Sequence, residues 1–175
     1  MRPLRRAEYD KLVALGVFEG ERLELLDGLL VPMSPIDPAH GSSVDSLAEL
    51  LILALHGRAR ARVQNPFAAL ELSEPEPDVV VAPLADYRTE HPSEAYLIVE
   101  VAGSSLTRDR GHKRRLYAEC RVQEYWIVNL VEKVLEVFRD PDQDGYRQVF
   151  TVQCGQTVGL LWFPDVEVRV DDVFK

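Results

Sequence analysis

A chain of 175 residues, 46% of them hydrophobic and 8% aromatic, is long enough to close one globular core and reads as a single domain over residues 1–175. Its formal charge of −9 excludes the broad, sequence-independent coating of nucleic acid that depends on neutralising many phosphates. The longest strongly apolar stretch, Leu50 to Leu55, is too short to cross a bilayer, and Met1-Arg2-Pro3-Leu4-Arg5-Arg6 runs into polar helix, so no membrane partner and a cytoplasmic location are expected.

In chain order, Tyr9, Leu12 and Val13 share one face of a helix over Arg5 to Leu15 that stops at Gly16. Arg22 to Leu26 and Leu29 to Val31 flank Asp27-Gly28, the signature of a hairpin with a type I′ turn. Asp37 and Pro38 then supply an N-cap and a first helical residue. Val44, Leu47, Ala48, Leu51, Ile52 and Leu55 continue as the apolar stripe of a helix ending near Gly57.

Ala61 to Leu72 reads as a strand and Glu74-Pro75-Glu76-Pro77 as a rigid breaker. Asp78 to Ala82 and Tyr96 to Ala102 follow as strands whose continuous apolar character predicts burial on both sheet faces. A third helix is expected over Thr107 to Arg121, then strands over Glu124 to Asn129, Val134 to Phe138, Tyr146 to Val152 and Val158 to Phe163. The tail alternates at Val166, Val168 and Val170 like an edge strand. Cys120 and Cys154 lack any CxxC spacing and read as small buried hydrophobes.

The charge is uneven. Arg108, Arg110, Lys113, Arg114, Arg115 and Arg121 are offset only by Asp109 and Glu119, a local balance of +4, and Arg58, Arg60 and Arg62 form a second basic stretch. As charge runs alone, both are ordinary solvated faces; the global acidity confines any DNA contact to a local patch of this kind. Arg110 and Arg114 are candidates for phosphate contact.

Two acids stand inside apolar runs: Asp78 before Val79-Val80-Val81, and Glu100 within Tyr96 to Ala102. Removing an unpaired carboxylate from water costs on the order of several kcal/mol, a large share of a domain's stability, so both acids need a cation. Lys113 shares a helical face with Leu116, Tyr117 and Cys120, the face that packs on the sheet. A divalent metal held by two carboxylates beside an ammonium satisfies the charges and also performs chemistry. Alternatively Asp78 is a solvated turn residue, Glu100 half of a structural ion pair, and Lys113 a snorkelling side chain.

Glu24 is a further acid in an otherwise apolar strand, either a surface residue of the hairpin or a support for a metal. His40 shares its helix face with Val44, Leu47 and Leu51 at a helix N-terminus, where it is either a core histidine or a contact for a phosphate.

Pro77-Asp78, Glu100-Val101-Ala102, the run from Asp109 to Ala118, and Glu124-Tyr125-Trp126-Ile127-Val128 together resemble the Uma-type branch of the restriction-endonuclease-like PD-(D/E)xK superfamily, a bacterial family. Leu23 to Gly28, Met33-Ser34-Pro35 and His40 extend the resemblance over nearly the whole chain. It implies an α/β (α+β) fold with a restriction-endonuclease-like core. That core is a mixed β-sheet flanked by helices, with additional antiparallel strands at the N- and C-terminal ends. It also implies Mg²⁺, or Mn²⁺, bound by Asp78, Glu100 and the Val101 backbone carbonyl, with Glu24 as a supporting acid. The lysine usual two residues after the glutamate is replaced by Ala102, so the catalytic ammonium falls to Lys113.

The expected activity is Mg²⁺-dependent endonucleolytic hydrolysis of DNA by activated water. The alternatives are a non-catalytic nucleic-acid-binding or assembly module that keeps the fold, and an enzyme of the same core acting on a small phosphate ester. Trp162, Phe163 and the alternating tail suggest edges that a homo-oligomer would cover.

Overall fold

The computed structural model describes residues 2–175. Helix α1 (Arg6–Ala14) is followed by the hairpin β1 (Leu23–Leu26) and β2 (Leu29–Pro32), whose turn residues Asp27 and Gly28 both adopt positive φ, 49° and 77°, as a type I′ turn requires. Helix α2 (Pro38–Ala54) starts as its sequence dictates, with the Asp37 side chain accepting from the His40 N–H at 3.0 Å.

Six strands make the central sheet, in the order β3 (Arg60–Val63), β4 (Val79–Ala82), β5 (Leu97–Ala102), β6 (Glu124–Asn129), β7 (Val134–Pro141) and β8 (Tyr146–Gln153). All neighbours are antiparallel except β5 and β6. Parallel strands need a long crossover, and this one carries α3 (Leu106–Arg108), a π-helical turn (Asp109–Lys113) and α4 (Arg114–Glu119). At the C-terminus β9 (Thr157–Gly159) pairs with β10 (Glu167–Arg169), and α5 (Val170–Val173) follows.

The odd-numbered residues of β4 and β5 pack with α2 and α5 in one core, including Leu47, Leu51, Val79, Val99 and Trp126. The even-numbered Val80 and Ile98 belong to a second core with Phe67, Tyr117 and Tyr125. Burial on both faces explains the continuous apolar runs, each fully buried large side chain contributing about 1.5–3 kcal/mol.

Three expectations are corrected. The strand beginning near Ala61 ends at Val63, because Gln64 turns to φ 48° and Asn65-Pro66 cannot continue a ladder. The Val158–Phe163 strand stops at Gly159 and pairs with the tail strand, which is one edge of a two-stranded sheet. The central sheet ends in two edge strands, β3 and β8, and on β8 Val149 and Phe150 are exposed. Cys154 is exposed and Cys120 half-buried, so neither is a core residue. No described helix is long and apolar enough to cross a membrane.

Candidate active site

The register Val79↔Val99 and Val80↔Ile98 places Asp78 and Glu100 opposite each other at the next step, on the sheet face covered by the crossover. Asp78 Oδ2 accepts from the Val101 backbone N–H at 2.8 Å and lies 3.2 Å from His40 Nε2, while Oδ1 accepts from Gln64 at 3.3 Å. The first turn of α2 and the end of β3 thus fix one carboxylate from two sides. The hydrogen bond to Asp78 holds the His40 imidazole above its ordinary range, against the opposing effect of burial.

Glu100 is held from the crossover. Lys113 Nζ donates to Glu100 Oε1 at 3.0 Å, and the Tyr117 hydroxyl donates to the same oxygen at 2.6 Å. Lys113 also lies 3.0 Å from Glu24 Oε2, which accepts from the Glu76 backbone N–H at 3.3 Å. The π-helical turn sets the rotational phase that brings Lys113 over the carboxylates, in line with Leu116 and Tyr117 of α4.

Sequence reasoning left the side-chain roles of Tyr117, Asp109, Gln64 and Arg108 unassigned. Tyr117 had a signal, since a tyrosine four residues after Lys113 on the packed face carries a polar tip that must find a partner. Asp109 is buried and its Oδ1 accepts no hydrogen bond, while Arg108 reaches Glu24 Oε1 only at 3.7 Å. Arg110 and Arg114 are not brought to this cluster. Arg110 forms a two-pronged pair with Glu136 at 2.6 and 2.9 Å, and the Arg114 guanidinium lies over the Phe138 ring at 6.0 Å.

The electrostatics show an excess of acid. Glu24, Asp78, Glu100 and Asp109 are buried against one buried cation, Lys113. Burial raises the Glu100 carboxyl above its ordinary range, with Lys113 opposing the rise, and raises Asp109 as well. Burial alone would lower the Lys113 ammonium, but Glu100, Glu24 and Asp109 outweigh it and hold it above its usual value. Burial raises Glu100 and Asp109, while the carboxylates around it raise Lys113.

Three features of the cluster suit a hard divalent cation: Glu24 Oε1 is buried without a hydrogen bond, both hydrogen bonds to Glu100 fall on Oε1, and the surplus charge is negative. The cage is not closed, however. Among the described residues no three His, Cys, Asp or Glu side chains converge as a set of ligands, and the ammonium of Lys113 bridges Glu24 and Glu100 instead.

A family model described as Uma2, putative restriction endonuclease, matches residues 6–171. The crystal structure of a putative nuclease belonging to DUF820 from Anabaena variabilis shares the fold, with a TM-score of 0.76, 15% identity and 98% of each chain covered. No curated protein matches the chain. The family match covers nearly the whole chain: this protein belongs to the Uma2 family of putative restriction endonucleases.

Proposed function

We propose that the protein is a Mg²⁺-dependent endonuclease that hydrolyses phosphodiester bonds of DNA. One observation carries the reading: a strand-borne acid pair, Asp78 and Glu100, lies in register on one sheet face with Lys113 delivered to Glu100 from the crossover. Asp78, Glu100 and the Val101 carbonyl would hold the ion, with Glu24 in support. When bound, Mg²⁺ polarises the phosphate and lowers the pKa of an attacking water.

The chain's own residues orient the reaction. The Val101 N–H and His40 fix Asp78, so its carboxylate needs little reordering as a substrate enters. Tyr117 fixes Glu100 in the same way. Lys113 keeps its proton in this acid-rich setting and can donate a hydrogen bond to a phosphoryl oxygen as negative charge builds there. Hydrolysis forms a bond from water oxygen to phosphorus and breaks the bond to the leaving oxygen, which takes up a proton.

A second reading has its own support. The Lys113 ion pairs already bridge Glu24 and Glu100, as in a nuclease fold retained as a non-catalytic nucleic-acid-binding or assembly module.

Calorimetric titration with Mg²⁺ and Mn²⁺, paired with cleavage of supercoiled plasmid and labelled oligonucleotides, separates the two. The nuclease reading expects metal binding and cleavage by the wild type, both lost in Asp78→Asn and Glu100→Gln proteins that remain folded. Nucleic-acid binding without metal uptake or cleavage would establish the second reading.

A further inference from the structure

Arg60 and Arg62 have no carboxylate within ion-pair distance among the described residues, in a chain where Asp and Glu total 29 against 20 Lys and Arg. Their neighbour Arg58 is paired with Asp165 at 2.6 Å, and Arg88 is paired with Asp86 at 2.6 Å. Arg62 is half-buried, and its Nε is shielded from solvent without a hydrogen bond. Its guanidinium lies over the Tyr87 ring at 5.1 Å, and that ring is fixed by its hydroxyl donating to the Pro83 carbonyl at 2.9 Å. A partly desolvated guanidinium without a counter-charge is costly, and in an acid-rich chain an acid could readily have been placed beside it.

These residues line one cavity of about 520 Å³, formed by Arg60, Arg62, Ala85, Asp86, Tyr87 and Arg88. Three guanidinium forks against one carboxylate leave a surplus of positive charge at a cavity on an otherwise acidic protein. Planar, always-charged forks suit the oxygens of a phosphate.

The location ties the cavity to the carboxylates. Arg60 is opposite Ala82, Arg62 is opposite Val80, and the Gln64 N–H donates to the Asp78 carbonyl at 3.0 Å. Arg60, Arg62 and Gln64 therefore alternate onto the sheet face that carries Asp78 and Glu100. Strand rise is about 3.3 Å per residue, so Arg62 and Arg60 stand about 7 and 13 Å along β3 from the Asp78 level. A duplex strand advances about 3.4 Å per nucleotide along its axis and an extended single strand more, so these distances are spanned by at most about two and four nucleotides.

We propose that this cavity is a distal phosphate subsite, in which Arg60 and Arg62 hold the backbone of a single DNA strand a few nucleotides from the position acted on at Asp78 and Glu100. The inference rests on the nuclease reading for the scissile position, whereas binding of the strand does not require cleavage. The guanidinium–ring pair provides a firm wall, and the open arginine faces supply the charge.

The test is fluorescence anisotropy in EDTA with an oligothymidylate of about twelve nucleotides, within the usual span of single-strand sites, and with a thymidine dinucleotide. Arg60→Gln/Arg62→Gln should weaken oligonucleotide binding at least tenfold and flatten its salt dependence by about 1.4 log units per log unit of salt, the value for two phosphate contacts. Dinucleotide binding should be unchanged. Arg62→Lys, which keeps the charge but not the fork, should fall between the two.

Hydrolysis of a small chromogenic phosphodiester with Mn²⁺ forms a separate arm. The double variant should retain the wild-type rate there. An absence of hydrolysis in every protein, with the binding losses intact, would remove the nuclease reading and leave a strand-binding subsite. Wild-type oligonucleotide affinity in the folded double variant would overturn the subsite. Displacement of the oligonucleotide by equimolar inorganic phosphate would also overturn it, by revealing a small-anion site.

Discussion

Lys113 Nζ and Glu100 Oε1 meet at 3.0 Å although the residues are thirteen apart and lie on different elements, one on a π-helical turn and the other inside a buried strand. Their pairing joins the crossover to the sheet, and among the described residues the ammonium is the only buried cation beside Glu24, Asp78, Glu100 and Asp109. Removing it should therefore be felt in stability as well as in chemistry.

Lys113→Met is expected to destabilise the fold by about 3–5 kcal/mol at neutral pH, because Glu24 and Glu100 lose their shared counter-charge while remaining buried. Adding Glu24→Gln and Glu100→Gln should recover a large part of that loss. Urea denaturation of the single and triple variants measures both; a Lys113→Met cost below about 1 kcal/mol would contradict a buried ion pair.

Tyr117→Phe removes one of the two hydrogen bonds on Glu100 Oε1. A bond to a charged acceptor is worth about 1.5–3 kcal/mol, and a loss in that range is expected in thermal or chemical unfolding. A group that orients a metal-binding carboxylate commonly matters by about 10–100-fold, so Mg²⁺ affinity in a titration should fall by a factor of that order.

Bound Mg²⁺ should raise the unfolding temperature. At about 100 times its dissociation constant the ion adds about 2.7 kcal/mol to a protein that binds it only when folded. Scanning calorimetry should show this gain in the wild type and none in Asp78→Asn. His40→Gln, which removes a group that orients Asp78 but no proposed oxygen ligand, should show a gain between the two.

Glu74 gives a pH prediction outside the site. Burial, then the neighbouring Asp10 charge and a hydrogen bond with it, push its carboxyl up to about 8 from 4.5. The folded state therefore holds a proton that the unfolded chain gives up. Its contribution is fully present below about pH 4.5 and is lost as pH rises toward 8. Glu74→Gln should flatten that decline in unfolding free energy measured across the range; an unchanged slope would contradict the raised value.

Where local chemistry alone decides, the sequence was easy to read. Asp27-Gly28 dictates its turn, Asp37-Pro38 starts α2, and acids inside apolar runs announce themselves by cost. Glu24 was ambiguous because a short hairpin strand normally has one wet face; here Leu25 also bridges to Glu74, and the covering chain buries the acid. The strand expected through Leu72 carried its own contradiction in Asn65-Pro66, which outweighs the apolar residues that follow. Asp109 and Gln64 had no readable signal, since their significance arises only when β3, β4 and the crossover meet.

The π-helical turn gives Lys113 an unusual vulnerability. A single amino acid corresponds to about 100° of rotation in an α-helix, so shortening the turn by one residue ahead of Lys113, while leaving every acid in place, would rotate Lys113, Leu116 and Tyr117 together relative to α3 and pull the ammonium and its packing neighbours off the sheet face. Relatives that differ here by a one-residue gap would preserve the acids in an alignment while losing the geometry that joins them to their base, so residue identity alone would overstate their competence.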